Sequence, residues 1–195
     1  MRTAQPDKRT RLIETATKLA YGRGFRETSL ADIAEAARVP VGNVYYYFNT
    51  KEELAEAVVE RRLEEFRAAR AEWDRWSSPK ERLLAFVDSI QANREQLARG
   101  GCPFGGLCSE LRREGGTLAR KSATLFTEPI GWLEKQFRAA GHDKDSRELA
   151  MHLFSAFQGM AAVAHGANDP DLVLTEVRRL KNWISGVLSL EATIE

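Results

Sequence analysis

Apolar residues recur at intervals of three and four along most of the chain, which is the spacing of one face of an α-helix. The first such pattern begins after Asp7, an N-cap residue type, and ends at Gly22. Two shorter patterns follow over residues 33–37 and 41–48, and Pro40 is well suited to open the second. The pattern therefore predicts three helices within the first fifty residues.

The remaining residues predict longer helices that are separated by glycine, proline and asparagine. These predicted helices cover 51–76, 80–99, 107–114, 117–140, 146–167 and 171–190. The strongest break lies at 100–106, which holds four glycines and a proline. No stretch of useful length alternates as a strand would, so the prediction is an all-α protein. We place a small helical module at residues 1–50 and a helical bundle at residues 51–195.

Composition adds few constraints, but the distribution of charge is informative. The 195 residues are 43% hydrophobic and 29% charged, without a membrane-length apolar run or a secretory leader. A cytoplasmic location without membrane association is therefore expected. The net charge of +1 conceals a basic end, because residues 1–51 hold nine Lys and Arg against five Asp and Glu. Such an end suits contact with a polyanion.

The two short helices at 33–37 and 41–48, joined by a tight turn, have the layout of a helix-turn-helix, whose second helix enters the DNA major groove. Gly42 allows close approach of a backbone, and the amide of Asn43 could pair with an adenine edge. The hydroxyls of Tyr45, Tyr46 and Tyr47 could reach phosphates or bases. Packing is the more ordinary role for consecutive aromatic residues, so we expect Phe48 in the core and Tyr46 and Tyr47 exposed.

One stretch resembles the DNA-binding signature of the TetR family of regulators. The matching residues are Gly24-Phe25, Thr28-Ser29-Leu30, Ile33-Ala34, Ala37, Val39, Gly42-Asn43-Val44-Tyr45-Tyr46-Tyr47-Phe48 and Lys51-Glu52-Glu53-Leu54. The resemblance implies an all-helical homodimer with an N-terminal three-helix DNA-binding module and a C-terminal bundle for ligand binding and dimerisation. It also implies that the protein is a repressor of a palindromic double-stranded DNA operator, released by a small-molecule effector.

The resemblance also implies site residues. Phosphate contacts fall on Thr28, Ser29, Tyr45 and Lys51, whereas base or mixed contacts fall on Val41, Gly42, Asn43, Tyr46 and Tyr47. Two departures from the family pattern stand out. Arg38 replaces the usual turn glycine; if this residue takes a left-handed conformation, its side chain costs roughly 1 kcal/mol relative to glycine and could recover part of that by reaching a phosphate. Pro40 replaces the usual Ser or Thr cap, and apolar Val41 could read only shape or a thymine methyl group.

Two symmetric half-sites require two recognition helices, and the last two helices are predicted to supply the dimer interface. Ser155, Gly159, Ala162 and Gly166 form a strip of small residues on which a partner helix could pack. Apolar stripes on both helices could equally be intramolecular core. We expect one face of each to be core and the other to join a four-helix interface.

A ligand pocket for an apolar or aromatic effector is expected among the helices between residues 80 and 160. Ordinary core packing is an alternative role for each lining residue, and His152 and His165 could contact a ligand or be structural. The predicted lining residues are Phe86, Phe104, Leu107, Cys108, Leu111, Leu125, Phe126, Trp132, Phe154, Phe157 and Gln158.

Cys102 is a candidate sensor of oxidants or electrophiles, because a helix start favours the thiolate. Alternatively, Gly101-Cys102-Pro103 is only a tight turn around a small residue. Cys102 and Cys108 are too few for a disulfide scaffold and are poorly spaced for zinc, so no metal and no cofactor are predicted.

Two other function classes are weaker. A thiol enzyme that uses Cys102 with His152 or His165 would leave the helix-turn-helix unexplained, so no enzyme is predicted. An architectural or constitutive DNA-binding protein would share the helix-turn-helix with the predicted regulator and differ from it only in having no effector. For the regulator, we expect the effector to shift the helices after residue 80 and the helix from Lys51 to transmit that shift to the recognition helices.

Overall fold

A computed structural model describes residues 7–189, and within that range it contains eleven α-helices and no strand. The all-α prediction is confirmed. The helices are α1 (Lys8–Arg23), α2 (Leu30–Ala36), α3 (Val41–Tyr47), α4 (Lys51–Trp73), α5 (Pro79–Ala92), α6 (Arg94–Gly100), α7 (Pro103–Glu114), α8 (Gly116–Ser122), α9 (Thr124–Ala139), α10 (Ser146–Ala167) and α11 (Asp171–Val187). Leu190, the predicted end of the last helix, lies outside the described residues.

Three predicted helix boundaries are wrong. The helix predicted over 80–99 is two helices, which meet at Asn93. The predicted break at 100–106 covers only Gly101 and Cys102, because α7 already begins at Pro103, whose fixed φ suits the first helical position. The helix predicted over 117–140 is likewise divided, at Ala123 between α8 and α9.

The described chain forms two compact units. The first contains residues 7–65 and 103–125, hence α1 to α3, most of α4, α7 and α8. Its core includes Leu12, Ile33, Val44 and Leu54, all fully buried. The predicted division at residue 50 concerns function and stays a prediction, since compactness alone groups α7 and α8 with the N-terminal helices.

The second unit contains residues 66–102 and 126–189 of the described chain. In it α5 packs against α11, α6 packs against α10, and α10 packs against α11. Fully buried Leu83, Leu133, Phe137, Leu153 and Ile184 lie in its core. The end of α4 also belongs to this unit, so one continuous helix contributes to both.

None of the helices described over residues 7–189 is long and apolar enough to cross a membrane.

Candidate nucleic-acid interface

The turn between α2 and α3 is closed by the backbone and by one arginine of α1. The backbone N–H of Val39 donates to the carbonyl of Ala34 at 2.9 Å. Arg38 has a φ of 53°, so this residue does adopt the left-handed conformation of the glycine that it replaces in the family pattern. Nη2 of Arg11 donates to the Arg38 carbonyl at 3.3 Å, while the Arg38 side chain itself is exposed.

α3 presents one apolar side to the core and the opposite side to solvent. Val44 and Phe48 are buried, and Phe48 therefore lies in the core as predicted. Tyr45 and Tyr46 are exposed to 55% and 82%, as the recognition role requires. Tyr47 is half-buried, not exposed as predicted, because its ring packs against the edge of Tyr46 with 4.9 Å between centroids.

The N-terminal end of α3 is also open to solvent. Pro40 occupies the N-cap position without a side-chain cap, as predicted, and its carbonyl accepts the backbone N–H of Asn43 at 2.8 Å. Val41 is 46% exposed, Asn43 is half-buried and Gly42 is exposed. A Cβ atom added at Gly42 would meet nothing within 4 Å outside its own helix. No contact inside the protein therefore requires glycine at this position.

The residues predicted to contact phosphates differ in accessibility. Ser29 is exposed and caps α2, where its hydroxyl oxygen accepts the N–H of Asp32 at 3.1 Å. That hydroxyl keeps its hydrogen for another acceptor. Thr28 is fully buried and donates its hydroxyl to the Gly24 carbonyl at 2.7 Å, so in this conformation its hydrogen is not available to a phosphate.

Lys51 begins α4 and reaches back to the turn between α1 and α2. Its ammonium group donates to the Arg26 carbonyl at 2.8 Å and lies 5.2 Å from the centre of the Phe25 ring. The residue is only half-buried. Since an ammonium group has three donors, one bond to a carbonyl leaves capacity for a phosphate.

A carboxylate supports the start of α2. Asp32 accepts the backbone N–H of Ser29 at 2.9 Å, which completes a capping box. That hydrogen bond, the Ser29 hydroxyl and the nearby Arg23 hold the pKa of Asp32 below its ordinary value. The cap fixes the exposed Ser29 with respect to α2.

The predicted effector residues divide between the two units. Phe104, Leu107, Cys108, Leu111 and Leu125 belong to the first unit, and Trp132, Phe154, Phe157 and Gln158 belong to the second. Most of these side chains are buried, whereas Phe104, Phe157 and Gln158 are half-buried. That they line a pocket stays a prediction.

Within the second unit, aromatic rings form a contiguous cluster. The ring of Trp73 contacts those of Phe86 and Trp132, with centroids 5.5 and 5.3 Å apart. Phe86 contacts Phe157, and Phe157 contacts Phe154, in both cases with centroids 6.1 Å apart. The indole N–H of Trp132 donates to Asp74 at 2.9 Å. Phe86 was predicted as a lining residue, and Trp73 extends the predicted set.

Both cysteines are buried, but their polar contacts differ. Cys102 directly precedes α7, as predicted, and Nε2 of Gln158 lies 3.3 Å from its sulfur as a donor. Cys108 is buried within α7, and this burial raises the pKa of its thiol above the ordinary value. Among the described residues no group of three or more His, Cys, Asp or Glu could hold a metal ion.

One contact at this site was not predicted. Glu110 of α7 accepts the backbone N–H of Phe25 at 2.8 Å and that of Arg26 at 3.4 Å. Eighty-five residues separate Glu110 from Phe25 in the chain, so no local sequence pattern could indicate the pair.

Known proteins match both the N-terminal helices and the whole chain. The family model described as bacterial regulatory proteins, tetR family, matches residues 12–58. The chain is 30% identical over 182 residues to the transcriptional repressor ComR of Escherichia coli, and the match covers 88% of this chain and 86% of ComR. This chain belongs to the TetR family. It is accordingly a DNA-binding transcriptional regulator and not an enzyme.

Other TetR-family matches differ in extent. The regulator TtgR of Pseudomonas putida is 44% identical over 54 residues, which cover 28% of this chain and only 26% of TtgR. A crystal structure of a TetR regulator from Legionella pneumophila superposes with a TM-score of 0.83 at 23% identity, over 93% of this chain and 98% of that one. The first similarity is confined to the DNA-binding end, and the second concerns the fold alone.

Proposed function

We propose that this TetR-family protein is a repressor that binds a palindromic double-stranded DNA operator as a homodimer and is released by a small effector. The observation that carries the proposal is the solvent-facing side of α3, where Gly42, Tyr45 and Tyr46 are exposed together. A glycine that no internal contact requires, beside two exposed tyrosines, fits a surface that approaches an external backbone.

The dimer is proposed on the exposure of the small-residue strip of α10. Ser155, Gly159, Ala162 and Gly166 are all exposed, and Val163 beside them is 61% exposed. Added Cβ atoms at Gly159 and Gly166 would meet nothing within 4 Å outside the helix. Small side chains allow a partner helix to approach closely, and a second protomer supplies the second recognition helix.

The effector is proposed to be apolar or aromatic and to insert among the rings of the second unit. Trp132, Phe154 and Phe157 belong to the aromatic cluster, and aromatic edges and faces are favourable surfaces for such a ligand. Gln158 adds an amide that could orient a polar group. Phe157→Ala should weaken the response to such an effector while operator affinity stays unchanged.

An electrophilic effector is the second candidate, supported by the environment of Cys102. The amide of Gln158 donates toward its sulfur, so the thiol has a polar partner at the start of α7. Cys102→Ser should bind the operator normally and lose any response to electrophiles or oxidants. A full response in that variant would exclude Cys102 as the sensor.

Release requires that the effector bind one conformation better than the conformation that fits the operator. We propose that α4 transmits the difference, because this single helix begins with Lys51 and continues into the second unit. A change in its direction would alter the separation of the two recognition helices.

The first test is a gel shift with the DNA upstream of the protein's own gene, at fixed salt and with non-specific competitor. A competitor-resistant complex whose footprint holds two half-sites about 10 base pairs apart is expected. Tyr46→Ala should abolish the complex. Trp76→Ala removes another exposed aromatic residue far along the chain and serves as the control.

Two results would contradict the proposal. A complex that no member of a broad set of apolar and electrophilic compounds releases would favour a DNA-binding protein without an effector. Absence of any specific site, both upstream and in a genome-wide selection of bound fragments, would overturn operator binding.

A further inference from the structure

The connection between α1 and α2 is held from two sides by charged side chains. From α7, the carboxylate of Glu110 accepts the N–H groups of Phe25 and Arg26 at 2.8 and 3.4 Å. From α4, the ammonium group of Lys51 donates to the carbonyl of Arg26 at 2.8 Å. All three bonds join a charged group to the backbone, which makes them stronger than neutral hydrogen bonds.

Gly24 makes the approach of Glu110 possible. Its φ of 89° lies in a region that favours glycine, and an added Cβ atom would stand 2.7 Å from Oε1 of Glu110. The carbonyl of Gly24 also accepts the hydroxyl of buried Thr28. The turn is therefore shaped to receive a carboxylate at its backbone N–H groups.

The turn leads directly to residues predicted to contact DNA. Ser29 follows Arg26 by three positions and caps α2, and Lys51 is bonded to the turn itself. A displacement of the Phe25–Arg26 peptide would thus move both residues. Phosphate contacts depend on the position of the donor, so such a displacement weakens binding without removing any contact group.

The same contact links the turn to α7. This helix carries Leu107, Cys108 and Leu111, which are among the predicted effector residues. A cleft of about 200 Å³ lies beside the contact, lined in part by Phe25, Lys51 and Leu118. Solvent can therefore reach Glu110, and water can replace its bonds to the turn when α7 moves.

We propose that Glu110 is a positioning residue for DNA binding: by accepting the N–H groups of Phe25 and Arg26, it makes the geometry of the α1–α2 turn depend on the position of α7. The inference rests on the proposed operator binding for its effect on affinity. The contact itself and its effect on α2 can be measured without DNA.

Glu110→Ala is expected to raise the Kd for the operator about tenfold, the scale of a lost charge-assisted hydrogen bond. The slope of log K against log salt concentration should stay unchanged, because no phosphate contact is removed. Glu110→Gln keeps one acceptor oxygen, which can receive the N–H of Phe25 but not that of Arg26 as well, and should recover part of the affinity. Glu114→Ala removes the same charge from an exposed position on the same helix and is the matched control.

Amide hydrogen exchange tests the contact independently of DNA. Exchange at Phe25, Arg26 and the capped start of α2 should accelerate in Glu110→Ala and not in Glu114→Ala, with α10 and α11 unchanged as a measure of intact fold. If Glu110→Ala shows accelerated exchange but binds the operator with wild-type affinity, the positioning role is overturned. Unchanged exchange would overturn the contact, whereas failure of the wild-type protein to bind any operator would count against the proposed function alone.

Discussion

Lys51 combines a structural contact with an exposed charge at the start of α4. Its bond to the Arg26 carbonyl and its position over the Phe25 ring use one side of the ammonium group. The remaining donors are free to meet a phosphate, and a half-buried stem limits the entropy lost when they do so. At this residue we expect stability of the turn and attraction for DNA to depend on the same cation.

Replacing Lys51 by alanine should therefore weaken binding to specific and non-specific DNA alike. One fewer phosphate contact lowers the magnitude of the slope of log K against log salt concentration by about 0.9. Fluorescence anisotropy titrations at several salt concentrations would measure both quantities. Lys18→Ala removes an exposed charge from α1 and should leave the slope unchanged. Equal slopes in the wild-type protein, Lys51→Ala and Lys18→Ala would exclude a phosphate contact by Lys51.

A substitution of Gly42 tests whether the fold or the DNA interface requires glycine at this position. Gly42→Ala should raise the free energy of unfolding by up to about 1 kcal/mol, because alanine favours a helix and meets no neighbour here. Operator binding should weaken, since the added methyl group lies on the solvent-facing side of α3. Thermal unfolding and gel shifts on the same samples give the two quantities, and Gly22→Ala is a control whose Cβ is also unobstructed. Wild-type affinity in Gly42→Ala would show that the DNA does not approach this position closely.

At the scale of single elements, the short α2 depends on its capping box. A seven-residue helix is marginal by itself, so the reciprocal bonds between Ser29 and Asp32 matter more here than in a long helix. The pKa of Asp32 is lowered in the folded state. Its contribution to stability is therefore complete above the ordinary pKa of an aspartate and is lost as the pH falls through the lower folded pKa.

Asp32→Asn should consequently lower Tm at neutral pH. It should have less effect in acid, where the wild-type carboxyl group is protonated and both proteins carry a neutral side chain at this position. Circular dichroism melts from neutral pH down to about pH 3 would show the difference in Tm decreasing with pH. Glu27→Gln, at an exposed position in the preceding turn, should show no such trend. A difference that is constant over the whole range would mean that the charge of Asp32 does not support the cap.

Element boundaries show where local patterns suffice and where they fail. The starts of α1, α2 and α5 follow from Asp7, Ser29 and Ser78, whose side chains accept backbone N–H groups of the first turn. The interruption at Asn93 has no comparable signal, because neither glycine nor proline stands between residues 80 and 99. Glycines at 105 and 106 predicted a break, yet they lie inside α7 after a favourable proline start.

At the scale of the whole molecule, the exposed strip of α10 predicts that the protein depends on a second copy. Gly159→Arg places a long charged side chain where nothing in the protomer obstructs it, so Tm of the isolated protomer should change little. In a dimer packed on this strip, the arginine would separate the protomers and operator affinity should fall more than about a hundredfold. Analytical ultracentrifugation and gel shifts measure both effects.

Ala139→Arg is the matched control, because Ala139 is an exposed small residue on α9, away from the strip. It should remain as oligomeric as the wild-type protein and bind the operator normally. A Gly159→Arg protein that sediments like the wild type would exclude this strip of α10 as the dimer surface.

The sequence by itself determined the helical class, the helix-turn-helix, the burial of Phe48 and the exposure of Tyr46. These features depend on spacing, caps and turns within a few residues, where the backbone conformation follows from neighbouring side chains. The left-handed conformation at Arg38 is likewise a property of one turn, but only the family resemblance, through the glycine usual at that position, pointed to it.

Only the tertiary structure decided which distant residues meet. The bond from Glu110 to the α1–α2 turn, the burial of Thr28 and the grouping of α7 and α8 with the N-terminal helices arise from packing across long stretches of chain. Such contacts depend on how helices are placed around a shared core. Helical periodicity states only that a residue lies on an inward face, and not which partner it finds there.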